Sequence, residues 1–339
     1  MKACYIHSAV SISAQNTFET AFKLSENKPL TSRKVNANHP PYKTYIAPAS
    51  LRRMATGVKM GVTAGRKALE KANIKSPDAI LTGTGMGCIE DTETFLNGII
   101  KNDESYLTPT SFIQSTHNTV GAQIALSLKC KAYNNTYVHG ALSFESALLD
   151  GQLLIKDDEA DTVLVGGVDE LGKEFTEYLS LIEDKNNGIK VPFSEGASFF
   201  VLSSTKQDKA IKLKAIKTVS ILEKEQIKTV LNQFLTENSY NPEDIDALIL
   251  GCNGSIYDNY YKEATNCFSE STLQLEYKHV IGEYFTASAF GLYLGFSILQ
   301  EQCIPETLIK NGNSKTPLKT VLLYNQFKGR DHSFILLSI

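Results

Sequence analysis

The chain lacks the features that announce several functional classes. Its six cysteines (Cys4, Cys88, Cys130, Cys252, Cys267 and Cys303) form no CxxC pair and match no zinc-module spacing. They read as free thiols in a reducing cytoplasm, placed as small buried hydrophobes. Neither a metal nor a cofactor is expected. No lysine-arginine block and no low-complexity run interrupts the 339 residues, and the formal charge is -3. Nucleic acid is therefore not an expected partner. No apolar run approaches the roughly 20 residues of a transmembrane helix. The opening Met1-Lys2-Ala3-Cys4-Tyr5-Ile6-His7 reads as a strand, not as a signal peptide. These absences point to a cytoplasmic protein with no membrane partner.

What remains is a chain that is 42% hydrophobic and 21% charged. At this length about three quarters of the unfolded surface can be buried. Two halves follow one plan. In each, a helical pattern (51–72; 225–236) leads into an apolar strand (79–83; 246–251) and a small-residue turn (83–87; 252–255). Each half then has an apolar helix (148–155; 287–300), a buried-strand run (162–167; 320–324) and a closing strand (198–202; 333–337). Apolar strands alternating with helices imply an α/β fold with sheets covered on both faces. The polar stretch 203–209 divides the chain, giving halves 1–205 and 206–339.

The segment 136–155 carries the most chemistry. A β-rich run, Thr136-Tyr137-Val138, meets the corner Gly140-Ala141, and an apolar helix follows. A cysteine there would sit at the positive end of the helix, which lowers its pKa and activates the thiolate for acyl transfer. The residue at the corner is Ala141, which has no nucleophile. His139 and Ser143 flank it. A Ser/His pair is conceivable, but a buried-strand histidine and a helix-capping serine are the plainer reading. Cys88 and Cys252 are candidate displaced thiols. His117 reads as a helix-entry residue, and the acidic runs Asp157-Asp158-Glu159 and Glu183-Asp184 read as solvated turns. The turn 83–87 lacks a full GxGxxG and its acidic partner, which argues against a dinucleotide site.

Taken in order, these motifs resemble a β-ketoacyl synthase of the thiolase fold. The segment 118–170 is similar to that family's central block. Leu51-Arg52-Arg53-Met54 resembles its Arg-Arg-Met helix, and Gly83-Thr84-Gly85-Met86-Gly87 its early glycine turn. Pro192-Phe193-Ser194-Glu195-Gly196-Ala197 resembles its Pro-Phe…Gly-Glu-Gly-Ala signature in shortened form. Asn325-Gln326-Phe327-Lys328-Gly329-Arg330 stands where the family has a glycine-rich turn. The resemblance implies a five-layer αβαβα architecture of two pseudo-repeated halves. It also implies a cysteine and two histidines that load an acyl chain and stabilise an enolate and oxyanion. Carried across, the cysteine falls on Ala141, the first histidine on Asn253 and the second on Glu283. Lys278 alone is retained, and it is placed to pair with Glu283.

The resemblance therefore implies a degenerate member, similar to a chain-length factor. Such a subunit would pair with an active ketosynthase, or with itself, in type II fatty-acid or aryl-polyene-like polyketide synthesis. An acyl carrier protein is a further expected contact. Phe144, His139, Phe285 and Phe327 are pocket candidates. Tyr284, Phe290 and Tyr293 face that pocket or an interface, or are ordinary core aromatics. The regions 173–191 and 204–248 are shorter than in the family. The alternatives are an acyltransferase with non-cysteine chemistry, its base being Glu283 or His139, and a homodimeric acyl-binding protein.

Overall fold

The computed structural model describes residues 2–19, 30–185, 188–208, 210–312 and 317–339. Met1 of the opening strand pattern and Lys209 of the polar boundary lie outside the described residues. In chain order the first elements are β1 (Tyr5–Ile12), β2 (Lys34–Val35), α1 (Pro48–Leu51), α2 (Thr56–Lys71), β3 (Ala79–Gly83), α3 (Ile89–Lys101) and α4 (Pro109–Ser115). There follow α5 (Thr119–Leu128), β4 (Tyr133–Tyr137), α6 (Ser143–Lys156), β5 (Thr162–Asp169), α7 (Lys173–Lys185), β6 (Phe193–Ser194) and β7 (Gly196–Ser203). The rest are β8 (Ile211–Ser220), α8 (Ile227–Glu237), β9 (Ala247–Leu250), α9 (Asn259–Thr265), β10 (Leu273–Glu276) and α10 (Lys278–Ile281), then α11 (Ser288–Glu301), β11 (Ile309–Asn311), β12 (Thr320–Phe327) and β13 (Asp331–Ser338).

The repeat seen in the sequence is a repeat of topology. One run of the sheet reads β4-β3-β5-β7-β1, and the other reads β10-β9-β12-β13-β8 with β11 added outside β10. In both, the first three strands are mutually parallel and the last two antiparallel. The runs touch through Tyr5–Lys212 and Ile6–Ile211.

Side-chain alternation along the strands builds the layers. On β7, Phe199 and Val201 face the cluster formed with α2, while Phe200 and Leu202 face the one formed with α6 and α11. On β12, Val321 and Leu323 join that same middle cluster, while Leu322 and Tyr324 pack with α8 and α9. The order is thus helix, sheet, helix, sheet, helix. The middle helix α11 is buried throughout Ser288 to Leu299, as an all-round apolar helix must be.

Several boundaries differ from the sequence reading. The 51–72 pattern breaks into α1 and α2. The second-half helix begins as a 3-10 turn, Lys224–Gln226, before α8. β8 and α7 were not anticipated. Thr136 and Tyr137 end β4, an outermost strand of the sheet, and Val138 and His139 beyond it are exposed, so the histidine is not buried on a strand. Glu183 is not a solvated turn residue: it lies buried in α7 and meets Lys328 at 2.5 Å.

Candidate functional site

Residues at or just past the carboxyl ends of β3, β5 and β12 (Met86, Asp169 and Phe327) line one cavity, and α/β sheets place their ligands beyond such strand ends. At the end of β4 the chain turns sharply. Gly140 takes φ +57°, a conformation that suits glycine. The Ser143 hydroxyl accepts the His139 N–H at 2.9 Å and donates to the Gly140 carbonyl at 2.7 Å, closing the corner. Ala141 is buried in this turn. Ser143 is thus occupied by the backbone, while the His139 ring meets the Ser146 hydroxyl at 2.9 Å. Two close packings lock the corner in place. A Cβ on Gly83 would lie 2.5 Å from the Ser143 backbone, and one on Gly167 would meet both Thr286 and Phe144.

In the second half, Asn253, Lys278 and Glu283 come together, each at most 4% exposed. Lys278 Nζ donates to Glu283 Oε1 at 2.8 Å and Oε2 at 3.0 Å. Asn253 Nδ2 donates to Oε2 at 2.7 Å, and its Oδ1 accepts the Ser255 N–H at 3.2 Å. The segment 190–194 laces the trio to the first half. Lys190 N–H donates to the Asn253 carbonyl, Glu283 N–H to the Pro192 carbonyl, and Ser194 N–H to the Glu283 carbonyl. Gly282 permits that approach: it has φ +83°, and a Cβ there would fall 2.4 Å from Ser194 Cβ. His279 points away, to the Thr307 carbonyl.

Beside the trio lies a cavity of about 60 Å³ whose walls include Glu283, Phe285, Phe327, Phe175 and Glu170. It has room for a few waters, well short of the roughly 300–1,000 Å³ typical of ligand pockets. Phe285 and Phe327 pack there with ring centroids 5.6 Å apart. Ala141, His139 and Phe144 do not line it. Phe144 is fully buried 5.7 Å from Phe200, and Phe290 and Tyr293 sit in the middle core. Burial pushes the Cys88 and Cys252 thiols well up, and neighbouring carboxylates add to the shift. That is the reverse of an activated thiolate. Among the described residues, no group of His, Cys, Asp and Glu is placed to hold a metal.

Sequence reasoning missed three buried carboxylates at this site. Asp169 Oδ1 accepts from the Thr84 hydroxyl and the Gly85 and Met86 N–H groups, and Oδ2 accepts from the Thr286 N–H and hydroxyl. It thereby ties the glycine turn to the entry of α11, although burial still raises its pKa. Glu170 accepts the Gly57 N–H at 2.6 Å and the Glu90 N–H at 2.8 Å, near the starts of α2 and α3. Burial raises it to about 7 against those two hydrogen bonds. Glu145 lies in the first turn of α6, fully buried. Its Oε1 accepts the Ser333 hydroxyl at 2.8 Å, and burial raises its pKa. The one signal available was a pair of acids, Asp169-Glu170, directly after an apolar strand.

The family model for the beta-ketoacyl synthase N-terminal domain matches residues 25–238. The chain belongs to the β-ketoacyl synthase family. Its fold is similar to that of the ishigamide ketosynthase/chain length factor, with TM-score 0.82 and 14% identity over 99% of both chains. It is also similar to a type II polyketide synthase acyl-carrier protein in complex with its ketosynthase bound to the hexaketide. There the TM-score is 0.79 and identity 15%, over 100% of this chain and 99% of that one. A ketosynthase in complex with its chain length factor from Xenorhabdus doucetiae has TM-score 0.78 and 14% identity, over 100% and 98%. No curated protein sequence matches the chain.

Proposed function

We propose that this chain is a chain-length-factor-like partner: it pairs with a ketosynthase that carries the thiolate, and it shapes the space for the growing acyl or polyene chain. The observation that carries this reading is the closed trio of Asn253, Lys278 and Glu283. It occupies the positions where the family's resemblance sets two histidines and a lysine, and Ala141 stands at the thiolate corner. With its donors all engaged by Glu283, the trio presents no free cation or proton donor to a developing enolate. The small cavity adds support, since a long chain would need room shared with a partner. The outer strand β4 offers a place for one: Tyr133 is exposed on it, as are Val138 just past its end and Leu126 on α5. Neighbours described as ketosynthase–chain length factor and ketosynthase–carrier complexes favour such a partner and an acyl carrier protein over a lone subunit.

The test is incubation of the purified chain with acyl-carrier and malonyl-carrier protein, followed by intact mass and product analysis. No covalent acyl adduct and no condensation are expected until a companion synthase with Cys-His-His is added. Turnover by the chain alone would overturn the reading. One observation favours altered chemistry instead: Glu170, in the cavity wall with a pKa near 7, has the value of a general base. Glu283 is held by Lys278, and His139 is outside the cavity. Turnover abolished by Glu170→Gln would therefore select that alternative.

A further inference from the structure

We propose that the groove along the free edge of β8 docks an extended acidic segment of a partner protein. The place is remote from the candidate site. The corner at Ala141 begins α6, whereas the groove lies at its other end, about 20 Å away for 14 residues at 1.5 Å each.

Three adjoining hollows form the groove. Lys206, Lys212, Lys214 and Lys319 line one of about 350 Å³, and Lys2, Lys156, Lys212 and Lys214 line another of about 320 Å³. In a chain of net charge -3 this is a local excess of cations. Lys2 pairs with Asp158 and Asp161. The other five lysines form no ion pair among the described residues. Lys156 bonds the Gln152 amide oxygen at 3.0 Å, and Lys214 lies over the Tyr240 ring. The one acidic side chain facing these two hollows, Glu237, is engaged by Lys217 at 3.3 Å. Burial pushes the Lys156 pKa down, against the opposing pull of neighbouring Cys4 and Asp157.

The shape favours an extended protein segment over a small anion. Lys212 and Lys214 line both hollows, so the cations run on from one to the next, and no arginine among the lining residues offers a two-pronged phosphate contact. β8 pairs with β13 out to Ser220, whereas on its other side bonding ends at Leu213, whose N–H donates to the Cys4 carbonyl and whose carbonyl accepts from Gln152 Nε2. Beyond Leu213 that edge of β8, at Ala215 to Lys217, lines the third hollow, about 370 Å³, with Leu153 of α6 and Phe234 of α8. A strand edge of this kind accepts an added extended segment through its backbone groups. The lysines at one end specify acidic residues, while the third hollow, where Leu149, Leu153 and Phe234 alternate with Lys156, Lys217 and Glu237, admits a mixed continuation.

The probe is a fluorescein-labelled octaglutamate peptide, with octaserine as control, read by anisotropy. Saturable binding that weakens as sodium chloride rises is expected. Lys212→Glu with Lys214→Glu should weaken it at least about tenfold; Lys101→Glu, on α3, should leave it unchanged. If the double charge reversal disturbs folding, Lys206→Gln with Lys319→Gln gives the same test with a smaller loss. Absence of binding, equal binding by the groove variants, or displacement of the peptide by equimolar pyrophosphate would overturn the proposal, the last in favour of a small anion.

Discussion

Glu283 stands in a buried setting that would ordinarily exclude a lone charge, and Lys278 makes it tolerable. Both charges have left water, a cost repaid only by close geometry and further hydrogen bonds. The two Lys278 contacts and the Asn253 amide provide these. Removing one partner leaves the other charge buried and alone. Lys278→Met is therefore expected to lower unfolding free energy by about 3–5 kcal/mol. Lys278→Met with Glu283→Leu should recover most of that, because the orphaned charge goes too. Urea denaturation of both single variants and the double variant measures the coupling; simple additivity would show that the pair is not a unit. At this scale the sequence was informative wherever a motif fixed the spacing. The expected pairing of Lys278 with Glu283 is present, with Asn253 beside it. Glu145 and Asp169 could not be foreseen, because the donors that satisfy them, Ser333 and Thr286, lie 188 and 117 residues away in the chain.

Glu170 acts on whole elements, since one carboxyl group accepts backbone N–H groups in the first turns of both α2 and α3. A carboxylate suits the positive end of a helix, yet burial wins and lifts its pKa from 4.5 to about 7. The sign follows from that direction. The folded state holds the proton more tightly, so this contribution to stability is complete below pH 4.5 and is lost as pH rises to about 7. The full loss is on the order of 3 kcal/mol. Glu170→Gln should remove that slope. It should also cost about 1–3 kcal/mol, because its amide NH₂ must face one of the two N–H groups. Parallel stability curves for the variant and the native chain across this pH range would refute the assignment. Elements such as β3 and α11 were readable because they are uniformly apolar and flanked by glycine or polar turns. β8 also carries a signal, the alternation Ile211, Leu213, Ala215, but its interleaved lysines obscure it. The exposure of His139 was hidden because β4 is an edge strand, and edge position is a property of the assembled sheet.

On the scale of the whole molecule, the two sheet runs enclose α6 and α11 while β4 remains an open outer edge. An open strand edge is a liability unless something covers it. Here Tyr133 on β4 is 49% exposed, Val138 just past its end 40%, and Leu126 on α5 68%. If the proposed ketosynthase partner, or a second copy of this chain, seats on this edge, a carboxylate placed there would be desolvated on association without disturbing the free subunit. Leu126→Glu with Val138→Glu is therefore expected to weaken association at least tenfold, about 1.4 kcal/mol, with the urea midpoint of the isolated chain unchanged. Sedimentation velocity of the native and variant chains, alone and with a companion synthase, reads this directly. Undiminished association by the variant would move the interface away from β4, and with it the proposal that the partner completes a pocket near the corner at Ala141.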